Sequence, residues 1–332
     1  MRAVQINDYG DRDNLELHDI NAPRPGPGEV RVSMAYSGVN FIDVYMRRGM
    51  YATNRAYATA LPLTLGMEGS GVVEETGPEV SSLTIGDRVA FCLSPGSYAE
   101  TSIVPEWKLV RVPDAISLDQ AAAMMLQGCT AHYLTHSAFP LGAASTCLVH
   151  AGAGGVGQLL IQIAKRKGAV VFATVGSPEK AEVAKARGAD HVIIYEQNDF
   201  PSVIKEHTKG LGVDVVYESV GQSTFDQSLQ SLKTRGTCIL FGASSGPVTS
   251  INPQILADAG SLFLTRPNLA DYMRDLPEIG SRANDLFDML SAHHLAIDIT
   301  RTFQLGDVAL AHQCLEERKS TGKILLEINA DL

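Results

Sequence analysis

The chain has 332 residues, 45% of them hydrophobic, and a formal net charge of −10 at pH 7. That length accommodates two domains with sizeable cores. The acidic balance, with no long basic run, argues against a general nucleic-acid or anionic-membrane surface, and no stretch of about 18 apolar residues predicts a membrane span. Residues 1–8 carry an early acid and do not read as a secretory leader. Five cysteines, at positions 92, 129, 147, 238 and 314, form no C-x-x-C pair. This pattern fits buried thiols in a reduced, cytoplasmic protein.

The first 120 or so residues read as short strands between Gly and Pro signals, at 3–6, 15–17, 30–34, 69–73, 87–91 and 98–102. A compact, barrel-like β domain is expected. Residues 119–134, rich in alanine and methionine, read as a helix leading into a second domain.

The stretch 147–175 then organises the chain. Residues 147–151 suit a short buried strand. Gly152-Ala153-Gly154-Gly155-Val156-Gly157 matches G-x-G-x-x-G. Val156, Leu159, Leu160, Ile163 and Ala164 follow at helical spacing, Lys165 to Lys167 load the last turn with positive charge, and Gly168 stops the helix. Residues 169–175 make a second strand. Such a βαβ unit places a helix N-terminus and a close-approaching backbone against a pyrophosphate. Gly152, Gly154, Gly155, Val156 and Gly157 are therefore expected to bind a dinucleotide.

After Val175 come Gly176, Ser177, Pro178, Glu179 and Lys180, with no carboxylate at the strand tip to bond a ribose 2′-hydroxyl. Ser177 and Lys180 suit a 2′-phosphate, so NADP is expected over NAD. Ser177 as an N-cap before Pro178, with a solvated Lys180, is the competing reading; Glu179 counts against the phosphate.

Further apolar strands at 191–195, 214–218, 236–241 and 261–265 complete a doubly wound parallel sheet of six strands. Ligands bind at the carboxyl ends of such strands. Gly176, Tyr195, Ser219, Val220, Phe241, Gly242, Ala243 and Thr265 are site candidates on that ground. Beyond Pro267 a helix (278–292), a strand (297–303), a helix (306–319) and a strand (323–328) are expected to return to the first domain. The expected domains are 1–124 plus 267–332, and 125–266, with the nicotinamide in the cleft between them.

Six landmarks in order make the chain recognisable: Gly38-Val-Asn-Phe-Ile-Asp43, Gly66-Met-Glu-Gly-Ser-Gly71, Gly86-Asp-Arg-Val89, Leu126-Gln-Gly-Cys-Thr-Ala-His-Tyr133, the 151–157 turn, and Lys319-Ser-Thr-Gly-Lys323. The chain resembles the medium-chain dehydrogenase/reductase superfamily, and within it the zinc-independent quinone oxidoreductases related to zeta-crystallin. The resemblance covers nearly the whole chain. It implies a GroES-like β-barrel domain joined to a Rossmann domain, and a homodimer formed through Rossmann sheet edges, with 261–265 as the edge strand.

Zinc-using relatives need a cysteine, a His-Glu pair and a further ligand, plus a four-cysteine lobe. Here the first cysteine is replaced within Ser37-Gly-Val-Asn40, the histidine position is Met67, and Cys92 stands without a cluster. His150, His293 and His294 lack partners at ligand spacing, so no metal is expected.

The resemblance places Asn40 and Asp43 on the nicotinamide side, with Tyr45 and Tyr51 beside a flat substrate; Tyr45 as a packing residue is the alternative. It puts Thr130, Thr265 and Arg266 near the nicotinamide, and Tyr195 and Arg318 with Ser177 and Lys180 around the 2′-phosphate. Arg318 as a solvated helix charge is the alternative. The implied reaction is hydride transfer from NADPH to a quinone, with Asn40 polarising the acceptor oxygen through its amide N–H and Tyr51 as the secondary candidate, a proton donor. The rival is reduction of α,β-unsaturated carbonyls. An RNA-binding or structural, crystallin-like role is a third reading, against which the net charge counts.

Overall fold

A computed structural model of the chain describes residues 1–317 and 320–332. The chain divides into two compact units, Met1–Cys129 with Met273–Leu332, and Thr130–Tyr272. In order the elements are β1 (Arg2–Ile6), β2 (Glu16–Asp19), β3 (Glu29–Val39), α1 (Phe41–Arg47), β4 (Leu63–Thr64), β5 (Glu68–Thr76), β6 (Arg88–Cys92), β7 (Thr101–Pro105), β8 (Val110–Arg111) and α2 (Leu118–Tyr133). There follow β9 (Thr146–Val149), α3 (Gly155–Arg166), β10 (Val170–Val175), α4 (Pro178–Ala186), β11 (His191–Ile194), α5 (Phe200–His207), β12 (Val213–Glu218) and α6 (Phe225–Gln230). The last are β13 (Leu232–Leu240), α7 (Gln254–Asp258), β14 (Phe263–Thr265), α8 (Leu276–Ser291), β15 (Ile299–Gln304), α9 (Val308–Glu316) and β16 (Lys323–Glu327).

The first unit is built on β3. One sheet runs β15-β16-β3-β5-β6-β8 with β7 also paired to β3, and a smaller sheet runs β2-β1-β4. Val30, Val32 and Met34 alternate along β3 and are fully buried, as the two-residue period of a half-buried strand requires. They pack with Val73, Val89, Phe91, Val104 and Leu109. This is the expected barrel-like domain.

The second unit is a six-stranded sheet in the order β11-β10-β9-β12-β13-β14, with every pair parallel. Its central strands β9, β10 and β12 are largely buried on both faces, which is why they read as near-continuous apolar runs. Leu148, Phe172, Ile193, Val216 and Cys238 from the strands meet Phe200, Ile204, Phe225 and Leu229 from α5 and α6. The strand order reverses between β9 and β12, and the crevice at their carboxyl ends is where such sheets bind ligands.

Some local expectations shift. The strand expected at 98–102 begins at Thr101, and β3 runs on to Val39. The looser segment 242–259 contains α7. The seven-residue α1 went unforeseen: it is too short for a helical period to stand out, and an aspartate, Asp43, faces inward. Among the described residues no helix is long and apolar enough to cross a membrane.

Candidate active site

The glycine turn sits between β9 and α3. Ala151 takes φ 51°, in the left-handed region, a conformation that costs a non-glycine residue roughly 1–2 kcal/mol. Its carbonyl accepts the Gly154 N–H at 2.9 Å. A Cβ on Gly157 would lie 2.3 Å from the Ala151 oxygen, and one on Gly152 would lie 2.9 Å from Ala173 Cβ. Gly154 is the N-cap of α3 and brings no side chain to the helix's free N–H groups. With Gly155 and Val156 opening the helix, its first N–H groups have no side-chain cap, the arrangement that takes a phosphate. The residues present fit a dinucleotide.

At the tip of β10, Ser177 is the N-cap of α4, accepting the Lys180 N–H at 3.3 Å, and Pro178 takes the first helical turn. A Cβ on Gly176 would come within 2.9 Å of the Tyr195 hydroxyl, so Tyr195 from the end of β11 leans over this tip. Exposed Glu179 is held below the usual carboxylate range, chiefly by the Ser177 hydroxyl. The N-cap reading of Ser177 is thus realised, and the serine still stands beside Lys180 and Tyr195.

Ser219 and Val220 follow β12. Phe241 and Gly242, after β13, both donate their N–H to the Glu218 carbonyl, at 2.9 and 3.2 Å. A Cβ on Gly242 would sit 2.4 Å from the Ser219 oxygen, and one on Gly221 would be 3.2 Å from Ala243 Cα. The two loops are therefore packed backbone to backbone at the end of the sheet. Thr265 ends β14, pairing with Ile239 of β13, and exposed Arg266 follows it. Thr130 is buried near the end of α2. Arg318 lies outside the described residues.

In the first unit, Asn40 and Asp43 open α1 and both are buried. The Asn40 amide N–H groups face Glu68 Oε2 at 2.8 Å and the Gly38 carbonyl at 3.3 Å. Its oxygen accepts from Lys323 Nζ at 2.8 Å. Lys323 also pairs with Glu68, and both side chains are fully buried; Glu68 further accepts the Leu126 N–H. The amide to which sequence reasoning assigned the acceptor oxygen is thus committed inside the protein. The cause is topological. β16 runs antiparallel to β3 with Ile324 opposite Val39, which brings Lys323 against Asn40 from 283 residues away.

Asp43 accepts the Asn40 backbone N–H at 2.8 Å and the Tyr98 hydroxyl at 3.1 Å on one oxygen, while its other oxygen is buried without a partner. Burial raises its pKa to about 7, against the lowering by those two hydrogen bonds and by Lys323. Behind Tyr98 lies His312, with Nε2 3.2 Å from the tyrosine oxygen and Nδ1 3.0 Å from Arg47 Nη1. Arginine cannot accept a hydrogen bond, so Nδ1 must accept and Nε2 carries the proton. Burial, aided by Arg47 and Arg12, lowers the His312 pKa to about 3. Arg47, itself buried, closes the chain on Glu316 at 2.8 Å. No single sequence motif announces this set, because α9 supplies two of its five members, His312 and Glu316.

Phe41, Tyr45, Tyr51 and Tyr57 form a continuous aromatic series, with ring centroids 5.9, 5.8 and 5.1 Å apart in turn. Tyr57 is buried, and the other three are partly exposed. In the Ser37–Asn40 stretch, Ser37 donates to the Glu68 carbonyl at 2.8 Å, and Met67, at the histidine position of zinc-using relatives, is buried. All five cysteines are free and buried.

A β-rich unit joined in sequence to a parallel sheet with a glycine-lined phosphate cradle defines a two-domain, dinucleotide-dependent oxidoreductase. Two family models match the chain, "Alcohol dehydrogenase GroES-like domain" over residues 26–114 and "Zinc-binding dehydrogenase" over residues 155–276. A quinone oxidoreductase of Pseudomonas aeruginosa is 41% identical over 98% of this chain and 99% of its own. A 2-haloacrylate reductase of a Burkholderia species is 39% identical, covering 98% of each chain. The structure of Escherichia coli quinone oxidoreductase complexed with NADPH superposes with a TM-score of 0.95 at 36% identity, over 98% of this chain and all of that one. The chain belongs to the medium-chain dehydrogenase/reductase superfamily, among its zinc-independent quinone oxidoreductases.

Proposed function

We propose that the protein reduces quinones with NADPH by hydride transfer and without zinc. The glycine turn carries this reading: it lies where the sheet's strand order reverses, Gly157 admits no side chain, and α3 presents uncapped N–H groups. When bound, NADPH supplies the hydride. The turn and the first turn of α3 hold the pyrophosphate, and Ser177, Lys180 and Tyr195 hold the 2′-phosphate. Ser219, Val220, Phe241, Gly242, Ala243, Thr265, Arg266 and Thr130 serve the nicotinamide half. Tyr45 and Tyr51, with Phe41, offer a flat acceptor an aromatic wall. Asn40 and Asp43 act through position, fixing the start of α1, since their polar atoms are occupied or enclosed. Hydroquinone oxygens take protons from water, so orientation and exclusion of water are what the chain must supply.

Reduction of a conjugated double bond is the second reading, favoured by the relative named 2-haloacrylate reductase. There a carbon must be protonated, and Tyr51 is the candidate donor. Purified protein assayed in parallel with a small quinone and an α,β-unsaturated aldehyde separates the two: quinone turnover supports the first, alkenal turnover alone the second. We also place the protein in the cytoplasm, in keeping with its five free, buried thiols. We infer a homodimer paired through β14; that strand's outermost place and Phe263, 61% exposed on it, support the reading, because an open apolar edge otherwise invites aggregation. A monomer by light scattering would remove the dimer.

A further inference from the structure

Beneath the crevice lies a second buried polar chain, wholly within the Rossmann unit. His150, just past β9, places Nδ1 2.7 Å from Thr174 Oγ1 on β10 and Nε2 2.9 Å from Ser228 Oγ on α6. Ser228 Oγ lies 2.5 Å from Glu218 Oε2 at the end of β12. Glu218 also accepts the Thr224 hydroxyl at 2.9 Å and the backbone N–H groups of Val220 and Gly221 at 2.7 and 3.0 Å. His150, Thr174, Glu218, Thr224 and Ser228 are all buried.

The proton positions follow from the partners. Ser228 Oγ has one proton and two acceptors in reach, the Thr224 carbonyl at 2.9 Å and the Glu218 carboxylate at 2.5 Å; the shorter oxygen–oxygen contact needs a hydrogen between the two atoms and a carboxylate only accepts, so Ser228 donates to Glu218. Ser228 then accepts from His150 Nε2–H, which leaves Nδ1 to accept from the Thr174 hydroxyl. Burial holds the His150 pKa below the ordinary value, in keeping with a neutral ring. The chain is polarised from Thr174 through His150 and Ser228 to Glu218. It ties together the carboxyl ends of β10, β9 and β12, on both sides of the point where strand order reverses.

We propose that Glu218 is a positioning residue for the dinucleotide: it holds the 219–221 loop by its two N–H groups, and the His150–Ser228 pair fixes the carboxylate for that task. This rests on the reading that the crevice holds NADPH. The loop is the part of β12's exit that faces the crevice, and among the described residues its Val220 and Gly221 N–H groups have no acceptor besides Glu218. A glutamine can replace Glu218, since its oxygen serves the two N–H groups while its NH₂ faces the Thr224 and Ser228 hydroxyls, which can rotate to accept. Alanine cannot.

The test compares wild type, Glu218→Gln and Glu218→Ala by NADPH titration without quinone, amide hydrogen exchange, and ¹⁵N spectra of His150. Wild type is expected to show the Nε2–H tautomer and slow exchange at Val220 and Gly221. E218Q should keep both the exchange protection and the NADPH affinity. E218A should lose protection at those two amides while the sheet stays protected, and bind NADPH about tenfold or more weakly. Wild-type affinity in a folded E218A overturns the proposal, as does an Nδ1–H tautomer in wild type. If E218A does not fold, the wild-type tautomer and E218Q decide: loss of loop protection or of NADPH affinity in a folded E218Q also overturns it. A wild type that binds NADPH but reduces no quinone would refute the assigned reaction and leave this inference standing.

Discussion

Gly157→Ala tests the phosphate cradle most sharply. The added Cβ would lie 2.3 Å from the Ala151 oxygen, 2.9 Å from Gly152 Cα and 3.0 Å from the Ala151 carbonyl carbon. All three are backbone atoms, so no side chain can swing aside. Ordinary contact requires the N-terminus of α3 to retreat by about 1 Å, and overpacking of this kind costs about 1–3 kcal/mol. The displaced groups are the helix N–H groups assigned to the pyrophosphate, and a misplacement of about 1 Å can cost roughly a hundredfold in function. Gly154→Ala is the matched control. Its backbone is extended, with φ −76° and ψ 165°, and its Cβ meets only the Ala151 oxygen, at 3.2 Å. G154A should melt close to wild type yet bind NADPH more weakly, because the methyl occupies the space the pyrophosphate needs. G157A should lose both stability and affinity. Thermal melts and NADPH titration by fluorescence read the two effects separately. Wild-type melting and wild-type affinity in G157A would refute the reasoning.

The other expectations concern the first unit. In Asp43→Asn the pH dependence of stability should change. Asp43 titrates near 7 in the folded chain against an ordinary 3.8, so the folded state holds this proton more tightly and wild type loses stability as pH rises from about 4 to about 7. Asparagine cannot ionise, so the stability difference should move in the variant's favour across that window, by up to about 4 kcal/mol, and level off above it; a difference constant with pH in urea melts would contradict the assignment. Tyr51→Phe should leave quinone turnover within about threefold of wild type, since no general acid of the usual hundredfold effect or more is asked of it. A far larger loss with quinone, measured at saturating NADPH, would make Tyr51 a proton donor in the main reaction.

The sheet was legible because its chemistry is local. Strands buried on both faces read as apolar runs, and α3 shows its period through Leu159, Leu160, Ile163 and Ala164. The glycine turn was legible for the same reason, since Gly152, Gly154 and Gly157 answer to contacts with Ala173, Ala151 and Gly152, nearby in sequence or on the next strand. What the sequence did not disclose is long-range and polar. Nothing around Asn40 announces that Lys323 will claim its amide, and nothing near Asp43 points to Tyr98 or His312. His150 looked like an isolated histidine because its partners, Thr174, Ser228 and Glu218, come from three other elements. Buried polar groups are satisfied wherever the fold brings donors and acceptors together, and that pairing carries no short-range signature.

The reaction assigned to the protein is NADPH-dependent, metal-independent reduction of a quinone. The most direct measurement is a single-turnover experiment: chelator-treated protein loaded with one equivalent of NADPH, mixed with a small quinone, and followed at the dinucleotide absorbance, with NADH in parallel. Rapid loss of the reduced-dinucleotide signal is expected with NADPH, slower loss with NADH, and no change on adding back zinc. Failure of NADPH to react, or a reaction that appears only when zinc is restored, would contradict it.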